Sequence, residues 1–168
     1  LAALMVLSVF AGTVAFAGSA AAVSGGNIMF SPNSLDEGTT ETHDFDVSYT
    51  GFDDDASTGS LEINLPSQVS VDSYNVTVTN TDNSTEILST SSSSVSGTTI
   101  TVPINNATNG AKPINVTGNV TITAPSVNSD TSAPVYFNVS DTTASDASLS
   151  ETVTINDLGA TSENPRYL

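Results

Sequence analysis

Apolar and polar residues alternate at every second position through most of the chain after residue 23. In the longest run, Ile114, Val116, Val120 and Ile122 share one phase, and Asn and Thr residues share the other. Side chains of a β-strand point alternately to opposite faces, so this period places the apolar residues on one face of a strand. No segment repeats apolar residues at helical spacing over two turns. The sequence therefore predicts an all-β protein.

Eight segments carry this alternation, and polar, turn-forming residues separate them. The segments are 27–30, 45–49, 61–65, 74–78, 100–104, 114–123, 135–139 and 149–155. Strands with one apolar and one polar face are typical of antiparallel sheets that pack face to face. We therefore predict that residues 23–168 form one acidic domain, an antiparallel β-sandwich of immunoglobulin-like architecture with about seven to eight strands. The Ser-rich segments 90–96 and 140–150 are predicted to be loops.

The first 22 residues differ from the rest in composition. Leu1–Phe16 is almost wholly apolar and is followed by small residues that end in Ala20, Ala21 and Ala22. An apolar core closed by an A-x-A site is typical of a secretory signal peptide, and we place cleavage after Ala22. The alternative is a membrane span, but a span needs about 20 apolar residues and this core is shorter. Since an initiating Met and a basic start are missing, we expect 1–22 to be an N-terminally truncated signal peptide and the chain to be a piece of a longer protein.

A resemblance rests on the same segment. The string AALMVLSVFAGTVAFAGSAAA, residues 2–22, resembles the signal peptide of haloarchaeal surface-layer (cell-surface) glycoproteins in its LMV-S-VFAG core and its AF-GSAAA close. The match covers about an eighth of the chain. The rest is similar to that family only in style, being acidic, rich in Thr, Ser and Asn, and β-patterned. The resemblance implies export to the cell surface.

The charge of the chain excludes several partners. It has 18 Asp and Glu residues against 2 Lys and Arg residues, a formal net charge of −16. Lys112 and Arg166 form no basic patch, which excludes nucleic acid and anionic membrane surfaces. At molar salt the Debye length is about 3 Å, so the self-repulsion is screened. The composition favours adaptation to brine over an acidic disordered segment, because β-branched residues are spread evenly along the chain.

Six Asn-x-Ser/Thr sequons are candidate N-glycosylation sites. They are Asn75, Asn83, Asn106, Asn115, Asn119 and Asn138. Four of them, at positions 75, 115, 119 and 138, lie on the polar phase of their predicted strands, where a glycan would project into solvent. The alternative is that Asn simply belongs on solvent-facing positions. For an exported chain we expect at least some of the six to be modified.

Carboxylates are the candidate metal ligands. The cluster Asp53, Asp54 and Asp55, with Asp36 and Glu37 elsewhere, offers hard oxygen ligands for Ca²⁺ or Mg²⁺. No calcium-loop motif is present, and three adjacent acids are more often a solvated turn. We expect weak, delocalised cation binding by surface carboxylates rather than a bound cofactor.

The residues do not favour an enzyme. The chain has no Cys, no Gly-rich phosphate loop and one histidine, His43, with no nucleophile elbow. We interpret His43 as a polar residue at a strand edge. Paired carboxylates for glycoside hydrolysis would need an aromatic-lined cleft, and the chain has six Phe, four Tyr and no Trp.

Two functions remain. The first is a structural domain of a secreted, halophilic cell-surface glycoprotein, in or on the cell envelope as in a surface layer, with neighbouring copies, other envelope proteins and N-linked glycans as partners. The second is an adhesin-like or ligand-binding module of a secreted protein, which would bind through its end loops.

Overall fold

The computed structural model describes residues 22–53, 58–82, 86–89, 92–105, 110–140 and 146–159, and none of these residues is helical. Ten β-strands form two sheets. The strands are β1 (Ser24–Ser31), β2 (Ser34–Asp36), β3 (Thr40–Phe52), β4 (Thr58–Asn64), β5 (Ser70–Asn80), β6 (Ser94–Ser96), β7 (Thr99–Asn105), β8 (Lys112–Thr123), β9 (Thr131–Ser140) and β10 (Ala147–Asn156).

The two sheets have four and six strands. The order is β1-β3-β8-β5 in the smaller sheet and β2-β10-β9-β4-β7-β6 in the larger one. Strands β6–β7 and β9–β10 are hairpins within the larger sheet, and the other connections cross from one sheet to the other. Apolar residues of both sheets form one buried cluster between them. The predicted all-β sandwich is confirmed.

The strand count is higher than predicted because two strands have only three residues each. The alternation that identified the other eight strands needs more than three residues to be recognised. Strand β6 lies inside a predicted loop, where a two-residue turn with Gly97 at a φ of 60° pairs Ser96 with Thr99. Strand β10 likewise begins inside the other predicted loop. Strand β2 pairs with β10 in parallel, so the sheet is not wholly antiparallel as predicted.

The predicted apolar phase forms the core. The side chains that are at most 1% exposed include the following residues of the alternating runs: Val47, Tyr49, Leu61, Ile63, Ile100, Val102, Ile104, Ile114, Val116, Val120, Ile122, Val135, Phe137, Val139 and Val153. Four residues of the runs are only half-buried: Tyr74 and Val76 of β5, Ile28 of β1 and Leu149 of β10. Strand β5 lies at the edge of the smaller sheet, so its inward-facing residues have a neighbouring strand of that sheet on one side only.

Phenylalanine rings connect the two sheets at the centre of the core. Phe137 of β9 lies 5.4 Å from Phe45 of β3 and 6.4 Å from Phe30 of β1, between ring centroids, and both pairs are tilted. Tilted pairs at this separation stabilise a core beyond the area that they bury. Phe137 is therefore the residue that joins the larger sheet to two strands of the smaller one.

Gly118 allows close packing in the smaller sheet. It lies on β8 between Phe45 of β3 and Val76 of β5 in the strand register. A Cβ atom at this position would overlap the backbone oxygen of Asn75 and lie 2.9 Å from the Phe45 Cζ atom. Because the nearest atom belongs to backbone in a hydrogen-bonded strand, it cannot move aside as a flexible side chain would.

We expect Gly118→Ala to lower the free energy of unfolding by about 1–3 kcal/mol through overpacking. Gly25→Ala is the matched control, because its Cβ would meet only side-chain atoms of Leu149, the nearest at 2.6 Å, which can rotate. Urea unfolding at molar salt measures both. Equal losses in the two variants would show that the contact with the Asn75 backbone is not the reason why position 118 requires glycine.

Candidate functional surface and buried polar cluster

One broad surface of the sandwich is polar throughout. The outward-facing positions of β3, β8 and β5 form a continuous surface that we call the outer polar face. It consists of Thr42, Asp44, Asp46, Ser48, Asn75, Thr77, Thr79, Asn115, Thr117, Asn119, Thr121 and Thr123. Thr42 and Thr121 are hydrogen bonded through their hydroxyls at 2.8 Å. Cross-strand pairs of this kind hold the side chains of the face in register.

Three of the predicted glycosylation sites lie on the outer polar face. Asn75 is exposed on the edge strand β5, and Asn119 lies directly opposite it on β8. Asn115 and Asn119 are half-buried. The predicted solvent-facing phase is confirmed at these positions, and the modification itself stays a prediction. Asn75 has the most open environment of the three, because its strand has a neighbour on one side only.

The remaining sequons differ from these in position. Asn138 is half-buried on β9, on the outside of the larger sheet, where its Oδ1 atom accepts a hydrogen bond of 2.6 Å from the Ser148 hydroxyl. Asn83 and Asn106 lie outside the described residues. A glycan would attach to the Nδ2 atom and leave this bond in place, but Asn138 is half-buried whereas Asn75 is exposed, so we rank Asn138 below Asn75 as an acceptor.

The candidate metal ligands do not come together in the described part of the chain. Asp53 follows the end of β3, while Asp54 and Asp55 lie outside the described residues. Glu37 accepts a hydrogen bond of 2.9 Å from the backbone N–H of Val127, and Asp36 accepts one of 3.0 Å from the Asn156 amide. Within the described ranges no group of three or more acidic or histidine side chains is arranged to hold a metal ion.

His43 is a core residue, so its interpretation as a polar residue at a strand edge was wrong. It is fully buried on β3, and its Nδ1 atom lies 2.5 Å from the carbonyl oxygen of Pro32. Its ring stacks on Phe30 with centroids 5.1 Å apart. The signal was present in the sequence, because position 43 shares the phase of the inward-facing Phe45 and Val47.

Tyr49 carries a polar atom into the core. Its hydroxyl donates a hydrogen bond of 2.7 Å to the backbone oxygen of Phe137, which ties β3 of the smaller sheet to β9 of the larger one. Burial raises the pKa of Tyr49 well above its ordinary value of 10.0, because the charged phenolate would lose its hydration.

This buried phenol makes stability depend on alkaline pH. The unfolded state loses the Tyr49 proton above about pH 10 while the folded state keeps it, so stability falls as the pH rises through this range. We expect the wild-type chain to lose more stability between about pH 9.5 and 11 than Tyr49→Phe does. Urea unfolding at constant high salt measures this, with Tyr136→Phe as the exposed control. Identical slopes in all three proteins would contradict the buried-phenol explanation.

A polar cluster lies around the buried Asn80 side chain, where β5 ends and β8 begins. Lys112, Glu86 and Asn80 form it, with the Lys112 Nζ atom 3.4 Å from Glu86 Oε2 and the Asn80 amide nitrogen 2.7 Å from the same oxygen. Asn80 is 4% exposed. From the sequence, Lys112 was relevant only to the absence of a basic patch and was not predicted to be a site residue. The signal available in the sequence was that the only lysine of the chain stands at the start of a strand whose alternate residues are apolar.

Among the described residues, none belongs to a helix of the length and apolarity that crossing a membrane requires. No protein-family model matches the sequence, and no curated protein matches it.

Several solved structures share the fold. The N-terminal domain of an adhesin from Streptococcus gordonii matches 78% of this chain at 12% identity, with a TM-score of 0.50. The major pilin subunit of Bacillus cereus matches 80% of the chain at 8% identity and a TM-score of 0.47. The collagen-binding subdomain of an Enterococcus faecalis surface protein matches 80% at 9% identity and a TM-score of 0.41.

These similarities concern architecture. The chain spans 32% of the adhesin structure and 39% of the pilin structure, and 94% of the collagen-binding subdomain. At such identities the adhesin domain supports the fold alone, an immunoglobulin-like β-sandwich. The chain therefore belongs to the class of immunoglobulin-like sandwiches, and its function must be argued from its own surface.

Proposed function

We propose that this chain is a structural, non-catalytic domain of a secreted, halophilic cell-surface glycoprotein that contributes to, or is displayed on, the cell envelope as in a surface layer. The outer polar face is the observation that carries the proposal. It presents hydroxyls, amides and the exposed carboxylates of Asp44 and Asp46, together with three glycosylation sequons, on one stiff sheet. Such a face is suited to hydration in brine and to glycans rather than to a buried interface.

Charge and export support the same function. The net charge of −16 falls wholly within residues 23–168, and screening in molar salt removes its repulsion. The similarity of residues 2–22 to the signal peptides of haloarchaeal surface-layer glycoproteins supports secretion. In this proposal neighbouring copies and other envelope proteins associate through screened contacts, and Ca²⁺ or Mg²⁺ bridges their carboxylates weakly.

Quantitative mass spectrometry of the native envelope tests the location, before and after divalent cations are chelated in high salt. We expect the protein to be an abundant envelope component that chelation releases. A protein that is scarce in the envelope and free in the medium would contradict the proposal. That result would favour the adhesin-like or ligand-binding module, which a glycan array in high salt would then examine.

Glycosylation is tested separately at Asn75. Thr77→Ala removes its sequon while leaving the Asn in place, and Thr77→Ser is the matched control because it keeps the sequon. We expect the native protein to be heavier than its polypeptide and Thr77→Ala to lose one glycan mass that Thr77→Ser keeps. A native mass equal to that of the bare polypeptide would remove the glycoprotein part of the proposal.

A further inference from the structure

The polar cluster of Lys112, Glu86 and Asn80 brings an amine, a carboxylate and a carboxamide together. Lys112 is the only lysine of the chain, and its side chain is 12% exposed, while that of Glu86 is 22% exposed. In the register of the smaller sheet Lys112 pairs with Phe52, whose side chain is fully buried. The cluster therefore lies beside the apolar end of the core and is partly shielded from water.

One oxygen atom connects the two nitrogens of the cluster. Glu86 Oε2 accepts a hydrogen bond of 2.7 Å from the Asn80 amide and lies 3.4 Å from the Lys112 Nζ atom. The backbone N–H of Asn80 also donates to the Glu86 carbonyl oxygen at 3.1 Å, which holds the Glu86 segment beside the end of β5. A carboxylate in contact with both an amine and an amide can pass protons between them.

A third contact polarises the Asn80 carboxamide. Its Oδ1 atom accepts a hydrogen bond of 3.0 Å from the backbone N–H of Asp82. A fixed backbone donor at a carbonyl oxygen stabilises the negative charge that forms there when a nucleophile adds to the carbonyl carbon. The Asn80 carboxamide thus has a donor at its oxygen, a carboxylate at its nitrogen and, in contact with the same carboxylate oxygen, the amine of Lys112.

We propose that Lys112 and Asn80 become joined by an intramolecular amide bond, with Glu86 as the proton carrier. Lys112 passes a proton to Glu86, and the neutral amine adds to the Asn80 Cγ atom. The Cγ–Nδ2 bond then breaks as Glu86 protonates the leaving nitrogen. The second proton of the attacking nitrogen passes through Glu86 to the departing ammonia, which leaves as an ammonium ion.

The reaction balances without any other reactant. The lysine ammonium and the carboxamide become one secondary amide and one ammonium ion, and Glu86 ends as the carboxylate with which it began. The step is an acyl transfer with no change of oxidation state. The fold holds the amine and the carboxamide of one chain close together. The reaction is therefore intramolecular and does not need two molecules to meet in the right orientation.

The bond would tie the end of β5 to the start of β8. Strand β5 is the edge strand of the smaller sheet, and on its outer side, among the described residues, only a single bridge between Thr79 and Ile87 covers its end, so this end is a place where the sheet can open. A covalent link between the two strands would restrict the unfolded chain as a disulfide does, in a sequence that has no Cys. This inference concerns the cluster alone and does not depend on the proposed surface function.

Intact-mass measurement of the full chain, made in a host that attaches no glycans and folded at molar salt, tests the proposal. We expect the denatured wild-type chain to be lighter than its sequence by one ammonia, about 17 Da. Lys112→Arg and Glu86→Gln are expected to show their full sequence masses. Asp82→Asn is the matched control and is expected to keep the loss, because Asp82 contributes its backbone N–H.

Digestion after acidic residues identifies the bond, since the peptides that contain Asn80 and Lys112 are expected to remain joined. A folded wild-type chain with its full mass would overturn the proposal, as would a gain of about 1 Da from deamidation. A loss of ammonia that persists in Lys112→Arg would indicate a succinimide at Asn80 and would also overturn it. If Lys112→Arg does not fold, the joined peptides of the wild-type digest decide the question.

Discussion

Replacing Phe137 by alanine is expected to lower the free energy of unfolding by about 3–5 kcal/mol, which is a large part of the stability of a domain of this size. The Phe137 ring is fully buried between the sheets and contacts Phe45 and Phe30, both of the smaller sheet. Its removal would leave a cavity that the surrounding strands cannot close without breaking their register. Urea unfolding at molar salt measures the loss.

Tyr136→Ala is the matched control for this prediction. Tyr136 precedes Phe137 on β9 and points to the opposite face, where it is 44% exposed. We expect this variant to lose clearly less, about 1–2 kcal/mol, because nearly half of the residue stays in water and its removal opens no cavity between the sheets. If the two variants lost the same stability, Phe137 would not be the centre of the contact between the sheets.

Low salt is expected to unfold the wild-type chain. At about 3 M KCl the Debye length is below about 3 Å, whereas at about 0.1 M it is near 10 Å, so carboxylates on neighbouring strands then repel one another. With a net charge of −16 and only two basic residues, the folded state has few ion pairs to offset this repulsion. Circular dichroism over this range of salt is expected to show the loss of β-structure at the low end.

A charge variant distinguishes the repulsion between carboxylates from the other effect of salt, which is to strengthen the burial of apolar side chains. Asp44→Asn with Asp46→Asn removes two exposed carboxylates from the outer polar face while keeping the shape of their side chains. Both proteins are made in a host that attaches no glycans, because Asp46→Asn creates a sequon with Ser48. We expect this double variant to stay folded at a lower salt concentration than the wild-type chain. A wild-type chain that remains fully folded at about 0.1 M KCl would exclude the halophilic part of the proposed function.

The eight longer strands could be predicted because their signal is local. In β8, the inward positions Ile114, Val116, Val120 and Ile122 are all fully buried, as the two-residue period requires. Burial in a strand follows from the direction of its side chains, so the period alone identifies the core residues. The same period placed Asn75, Asn115 and Asn119 on the opposite face, where the structure has them.

The errors have two physical causes. Strands β2 and β6 have three residues each and are held by pairing with β10 and β7, which no local pattern reveals. His43 was interpreted from its polar chemistry, although its phase on β3 already placed it inside. Its burial is stabilised by the Pro32 carbonyl oxygen and the Phe30 ring, contacts that exist only after β1 pairs with β3.

The sequence by itself determined the class of fold, the inward and outward faces of the longer strands, and a net charge of −16. Only the tertiary structure decided which polar groups share the interior. Tyr49 meets the backbone of Phe137 across the two sheets, 88 positions away in the chain, and Lys112 meets Glu86 at a separation of 26 positions. Alternation specifies the face on which a side chain lies, whereas the pairing and packing of the strands specify the groups that it meets there.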